Sequence, residues 1–272
     1  MTPFSAIVWT LSTTVGLQLC LLLSEIIRPG AVTDIVNSGG CLALVLVLAT
    51  YLALRAYAPD RSISQAVGFR RTPWQLIGLA FTLGLFIQIP ASHIAELING
   101  WLPLSDAETQ HREKLLSVAS PLRALAVALV VGVAGPVVEE LFYRGAIYGA
   151  LRRAQSPLLA TLATAGCFVL AHWNMSDMRS LAHVSPLLIV ALALGLARTV
   201  SGSLYPPLVL HAGFNLTTVV SMVVGHESTL DSVDFGSQSI ALGWLGSLAL
   251  VYGLFYFGTG SAGAKAARAQ DR

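Results

Sequence analysis

Apolar residues along this chain gather into runs of about twenty, broken by short polar stretches rich in Gly, Pro, Arg and Asp. A helix rising 1.5 Å per residue needs roughly 20 residues to cross about 30 Å of hydrocarbon. Eight stretches reach or approach that length, near 5–27, 38–57, 74–96, 122–151, 156–174, 184–200, 203–223 and 237–258. The pattern predicts an all-α fold, a polytopic integral membrane helical bundle with about eight transmembrane helices. Two places fit the ruler badly. The fourth stretch is longer than one crossing needs, and the break between the sixth and seventh is very short.

Composition agrees with this reading. Apolar residues make up 55% of the 272 and charged residues only 11%, with a mean hydropathy of +0.71. Soluble domains carry about 25% charged residues, so the bilayer is the solvent that this chain is written for. Cys20, Cys41 and Cys167 all fall in apolar runs without CxxC spacing, and read as small buried hydrophobes. The first apolar run has no basic segment ahead of it, which favours a retained helix over a cleaved signal peptide.

An even number of spans puts both termini on one side. Lys and Arg then decide which side, because they accumulate in cytoplasmic loops. The even loops and the C-terminus hold Arg55, Arg61, Arg70, Arg71, Arg152, Arg153, Arg198, Lys265, Arg268 and Arg272. The odd loops hold Arg28, Arg112, Lys114, Arg123 and Arg179. Ten against five favours cytoplasmic termini, and the acidic loop 225–238, with Glu227, Asp231 and Asp234, agrees. Arg outnumbers Lys fourteen to two, a coding bias that fits a bacterial inner membrane. The net charge of +2 is spread along the chain as topology signals, which argues against a nucleic-acid partner.

The organisation that follows has residues 1–120 carrying three spans and their loops, and 121–223 carrying the polar core. Residues 224–258 add an acidic loop and the last span, and 259–272 form a Gly- and Ala-rich tail expected to be disordered. Segment 107–118, with Glu108, His111, Arg112, Glu113 and Lys114, could make a short amphipathic helix. Its polarity favours the plainer reading of a solvated connector.

Chemistry enters through charges inside the apolar runs. Each such charge costs roughly 2.5–3.5 kcal/mol on insertion scales, so groups of them are functional by default. Glu139, Glu140 and Arg144 lie in one run. Glu140 and Arg144 stand at i and i+4 with the acid first, the better order for a helical ion pair. Glu139 is about 140° from Arg144 around an α-helix, which leaves it the free carboxylate and the natural general base. Gly135-Pro136 just upstream removes a helix hydrogen bond and invites a kink beside the acids. The plain alternative is a structural Glu–Arg staple.

Two further pairs sit at i, i+4. Phe168 and His172 end the fifth run, and Glu139 and His172 are equidistant from the 152–157 turn, so an antiparallel hairpin brings them to one depth. That depth is about 24 Å along the helices from the turn, far from the end the charge count makes cytoplasmic. His211 and Asn215 share a face of the seventh run and offer donors of the kind that hold an oxyanion. Each pair could instead serve helix–helix hydrogen bonding, worth about 0.6 kcal/mol in membranes. His93, His111, His183 and His226 receive no role.

Together, EELFYR (139–144), FVLAH (168–172) and HAGFN (211–215) resemble the EExxxR, FxxxH and HxxxN motifs of the CPBP intramembrane proteases. That family, also called Abi, includes CAAX-processing and bacteriocin-processing enzymes. The ordered triple is specific, spans about residues 120–220, and has all six positions in place. The resemblance implies an eight-helix peptidase in which Glu139 and His172 activate water, His211 and Asn215 hold the oxyanion, and Glu140 and Arg144 support the site. It implies a protein or peptide substrate at the bilayer, and no cofactor. A zinc-dependent variant is the alternative, although no HExxH is present and Asn215 is no usual zinc ligand. A proton-coupled transporter or an immunity protein could carry the same polar cluster. Paired Gly/Pro-broken helices and internal repeats, the usual marks of a transporter, are missing from the sequence.

Overall fold

The computed structural model describes residues 1–103, 105–117, 120–174, 180, 184, 186–223 and 237–259, and among them there is no strand. Helix α1 (Pro3–Ile27) starts where the Thr2 side chain accepts the Ser5 N–H and proline takes the first turn. Helix α2 (Ile35–Tyr57) starts where the Asp34 carboxylate accepts the N–H groups of Val36 and Asn37. A five-residue α3 (Ile63–Val67) is fixed by a reciprocal Ser62–Gln65 capping box and stops at Gly68, whose φ of 85° suits a residue without Cβ.

The third apolar run is two helices, α4 (Trp74–Phe86) and α5 (Gln88–Trp101), broken at Ile87. Next comes α6 (Asp106–Leu116), so the stretch favoured as a plain connector is helical. The reason lies partly outside it. Arg123 donates to the carbonyls of Lys114 (2.8 Å), Leu115 (3.2 Å) and Ser117 (2.7 Å), capping the end of α6 from the next helix. After α7 (Pro121–Leu151) follow α8 (Pro157–His172), α9 (Leu187–Ser201), α10 (Tyr205–Val223) and α11 (Ser237–Thr259).

Five segments are long and apolar enough to cross a membrane: α1, α2, the α4–α5 pair, α7 and α11. Helices α8 and α9 are shorter apolar helices of 16 and 15 residues. Each of the eight apolar runs thus falls largely on helix, five of them both long and apolar enough for a full crossing. Most of the acidic loop, all of the tail beyond Thr259, and Arg179, His183 and His226 lie outside the described residues.

One arginine was misread from sequence. Arg198 is not a loop cation but a buried side chain of α9, whose Nε donates to the Arg144 carbonyl at 3.0 Å. Set aside from the charge count, it leaves nine against five, in the same direction.

Helix α7 occupies the middle of the bundle, where Phe142, Ile147 and Leu151 are wholly buried against α1, α2 and α8. It is not one continuous α-helix. Val130–Ala134 and Leu141–Ile147 are π-helical, flanking an α-helical turn, Gly135–Glu140, that carries both acids. Proline chemistry accounts for the first of these. In an α-helix the Pro136 ring would press on the carbonyl four residues back. Widening the turn relieves that contact, and Gly135 N–H reaches five residues back to the Val130 carbonyl. The expected kink is expressed as a π turn.

Helix α10 is held by close approach of backbones. A Cβ on Gly84 of α4 would overlap the Leu210 carbonyl oxygen, and one on Gly213 would stand 2.9 Å from the Phe81 carbonyl oxygen. Only glycine at both positions lets α4 and α10 meet, and His211 lies between Leu210 and Gly213.

Candidate active site

The site is built where α7, α8 and α10 face one another. Arg144 and Glu140 are both wholly buried, and Arg144 Nη1 donates to Glu140 Oε1 at 2.8 Å. Its Nη2 donates to the Ala191 carbonyl of α9 at 3.1 Å. The guanidinium carbon stands 4.7 Å from the centre of the Phe168 ring. A buried arginine is tolerated when carboxylate, carbonyl and aromatic face share its charge in this way.

His211 joins the two acids. Its Nδ1 lies 3.0 Å from Glu140 Oε1, and its Nε2 lies 3.7 Å from Glu139 Oε2. A carboxylate at Nδ1 assigns the proton to that nitrogen and holds the ring with Nε2 turned toward Glu139. Glu140 is therefore a hub, serving Arg144 on its own helix and His211 on α10. Pairing with Arg144 agrees with the spacing in the sequence. The bond to His211 was not visible there, because nothing in i, i+4 patterns reports contacts between helices.

Glu139 points elsewhere, into a cavity of about 250 Å³ that His172 also lines. His172 Nδ1 is 2.8 Å from the Phe168 carbonyl of its own helix, which makes Nδ1 the donor and leaves the Nε2 lone pair to accept a proton. Tyr143 and Ala171 complete this side. The opposite wall comes from α1 and α2, through Thr13, Leu17, Leu42 and Leu46. No motif marks these residues, and their apolar spacing reads like any lipid-facing helix. Phe168 holds the centre. Its ring contacts Tyr143 at 5.3 Å, His172 at 4.4 Å and His211 at 5.8 Å between centroids, besides the Arg144 contact.

Asn215 occupies a different position. Its Nδ2 donates to the Val131 carbonyl at 2.7 Å, inside the first π segment. With Gly135 bonded five back to Val130, the same register would have Pro136 serve Val131, and proline has no N–H to give. Asn215 fills that vacancy in the ladder, so the HxxxN and Gly-Pro elements of the sequence are parts of one local structure. The amide keeps a second hydrogen for other use.

The same side chains can be tested as metal ligands. Glu140 Oε1 is already engaged by Arg144 and His211. Among the described residues, no three His, Cys, Asp or Glu side chains are arranged to hold a metal ion.

Residues 121–217 match the model of a family described as Rce1-like, type II CAAX prenyl endopeptidase. This segment is similar to the CAAX protease family whose motifs the sequence resembles. All six motif residues lie inside the match, whereas α1, α2 and most of the cavity's apolar wall precede it. No curated protein and no solved structure matches the chain. The matched model is described as an endopeptidase, and the five long apolar helices fit a multi-pass membrane protein.

Proposed function

We propose that the chain is an intramembrane endopeptidase that hydrolyses a peptide bond of a membrane-associated protein or peptide, using water activated by Glu139 and His172. The observation that carries this reading is the convergence of Glu139 and His172 on one cavity, with His211 set between Glu139 and Glu140. In the proposed step, water attacks the scissile carbonyl carbon and gives its proton to Glu139. The oxyanion is met by the Asn215 amide and by Nε2–H of His211 in its imidazolium form, which carries a hydrogen on each ring nitrogen. Collapse of the tetrahedral intermediate breaks the C–N bond as the proton passes to the leaving amine. Glu140 and Arg144 act by holding His211. The apolar wall from α1 and α2 suits a substrate segment that arrives from lipid. In this reading α8, α9 and α10 complete an eight-span bundle with both termini in the cytoplasm.

The test uses the full chain in liposomes with a panel of membrane-tethered peptides, prenylated and plain, read by fragment mass. Glu139→Gln and His172→Ala should each abolish cleavage while the proteins remain monodisperse and folded. Wild-type activity should survive exhaustive chelation and dialysis. Loss on chelation with recovery on added zinc, together with a fully active Asn215→Ala protein, would replace this mechanism by a metal-dependent one. Full activity in Glu139→Gln would overturn it outright.

A further inference from the structure

Arginines that look like scattered topology signals in the sequence come together in the fold. Arg61, Arg70, Arg152, Arg153 and Arg198 line one cavity of about 440 Å³, with Gln65 beside them. They come from the α2–α3 connection, the strand of chain before α4, the α7–α8 turn and α9. Among the described residues no Asp or Glu lines it. Arg61 and Arg153 have no acidic partner among the described residues, and Arg152 uses Nη1 on the Gln155 carbonyl at 2.6 Å. Arg61 and Arg153 repel one another, and the fold keeps them together although both side chains have open solvent as an alternative.

The back of the cavity is rigid. Arg198 is buried, bonded to the Arg144 and Val67 carbonyls at 3.0 and 3.4 Å, and stacked 5.2 Å over the Tyr148 ring. Its guanidinium fills the space at Gly68, where any Cβ would overlap it. Partial desolvation and the neighbouring Arg61 both hold the exposed Arg153 guanidinium below the usual arginine range.

Position along the bundle supplies the second half of the case. The cavity lies where α2 ends at Tyr57, α7 ends at Leu151, α8 begins at Pro157 and α9 ends at Ser201. Of these helices α2 and α7 are long and apolar enough to cross a membrane, and the ends of such helices meet headgroups. Guanidinium forks match phosphate oxygens two at a time, and basic pockets between helix ends at this depth suit phosphorylated headgroups. We propose that this cavity binds a phosphate group, presented on an anionic phospholipid headgroup or free in solution. It is separate from the candidate active site and does not rest on the proposed peptidase activity.

The experiment takes the full chain in neutral detergent, with native mass spectrometry of samples titrated with phosphatidylglycerol or phosphatidylcholine. A parallel thermal-shift titration uses inorganic phosphate. Wild type should retain phosphatidylglycerol at least tenfold better than phosphatidylcholine. The Arg61→Gln/Arg153→Gln protein should lose that preference, as should each single variant in part. Arg71→Gln, exposed and outside the cavity, should keep it. Both substituted side chains are exposed, and circular dichroism and gel filtration would verify the fold. Protection by inorganic phosphate alone, abolished in the double variant, would assign the site to a soluble phosphate compound. Equal retention of the two lipids by wild type with no phosphate effect, or an undiminished preference in the double variant, would overturn the proposal.

Discussion

Replacing Glu140 by glutamine separates the two neighbouring acids by stability. Glu140 is wholly buried, and its Oε1 takes the Arg144 Nη1 bond at 2.8 Å and the His211 Nδ1 bond at 3.0 Å. Glutamine keeps a neutral acceptor, so the loss is that of a charge opposite a buried guanidinium. Removing one partner of a buried pair costs about 3–5 kcal/mol. Arg144 retains the Ala191 carbonyl and the Phe168 ring, which places the expectation near the lower end, about 3 kcal/mol. For a chain of this size that is a fall in Tm of roughly 6–12 °C. Glu139→Gln removes a partly exposed carboxylate that lies 3.7 Å from His211 Nε2, beyond hydrogen-bond length, and should cost less than about 1 kcal/mol. The Glu140→Gln/Arg144→Gln protein should recover at least half of the single loss, because no unpaired charge remains. Intrinsic tryptophan fluorescence on heating, with all five proteins in the same detergent, Arg144→Gln included, reads the order. Equal Tm values for the Glu139 and Glu140 variants, or a double variant as unstable as the sum of its singles, would refute the assignment of Glu140 as the structural partner.

Asn215→Ala should lower the cleavage rate roughly 10²–10³-fold if its amide also meets an oxyanion, while costing only about 0.6 kcal/mol of stability for the lost Val131 bond. A fully active variant with a lowered Tm would restrict Asn215 to the helix–helix role. Gly84→Ala should destabilise by about 1–3 kcal/mol because its Cβ meets the Leu210 carbonyl, whereas Gly78→Ala on the same helix, with nothing within 4 Å, should not; heating curves compare them. At the α1–α2 connection, the Arg28 hydrogen bond and the α2 N–H groups hold the Asp34 carboxyl below its ordinary 3.8. The pair therefore stabilises above that value and its contribution is lost as pH falls through the lowered folded value. Asp34→Asn should flatten this part of the acid melting profile, by less than about 1 kcal/mol since the pair is exposed.

The helices and the charged pair were legible because both depend on neighbours in sequence. Runs of about twenty apolar residues report the bilayer, and Glu140 to Arg144 is a contact within one helix. Hairpin symmetry about the 152–157 turn likewise placed Glu139 and His172 at one depth, and both line one cavity. What could not be read depends on residues distant in the chain. Glu140 to His211 spans 71 positions, and Arg198 to Arg144 spans 54. The apolar wall from Leu17, Leu42 and Leu46 looks like lipid-facing surface until α7 is set against it. Arg123 was counted for topology, yet it caps α6, and so a stretch too polar to look structured is helical.

Two π segments in one helix also alter what a shorter or longer relative can look like. A π turn is an α-helix carrying one surplus residue, so the stretch tolerates losing a residue with little change of phase. Deleting one position within Val130–Ala134 would restore α geometry there and keep the upstream faces nearly in place, because the wide turn spreads about the same arc over one more residue. The Val131 carbonyl would lose the wide turn that frees it for Asn215, while the upstream half keeps its α2 and α10 neighbours. The same deletion between Leu141 and Tyr143 would set Arg144 three residues after Glu140, still on one side of the helix. Helical wheels drawn at a uniform 100° across 121–151 therefore put residues on wrong faces beyond each seam. Comparisons of this segment between chains need a gap allowed at either side of Gly135–Glu140, where ordinary alignment practice would forbid one inside a membrane helix.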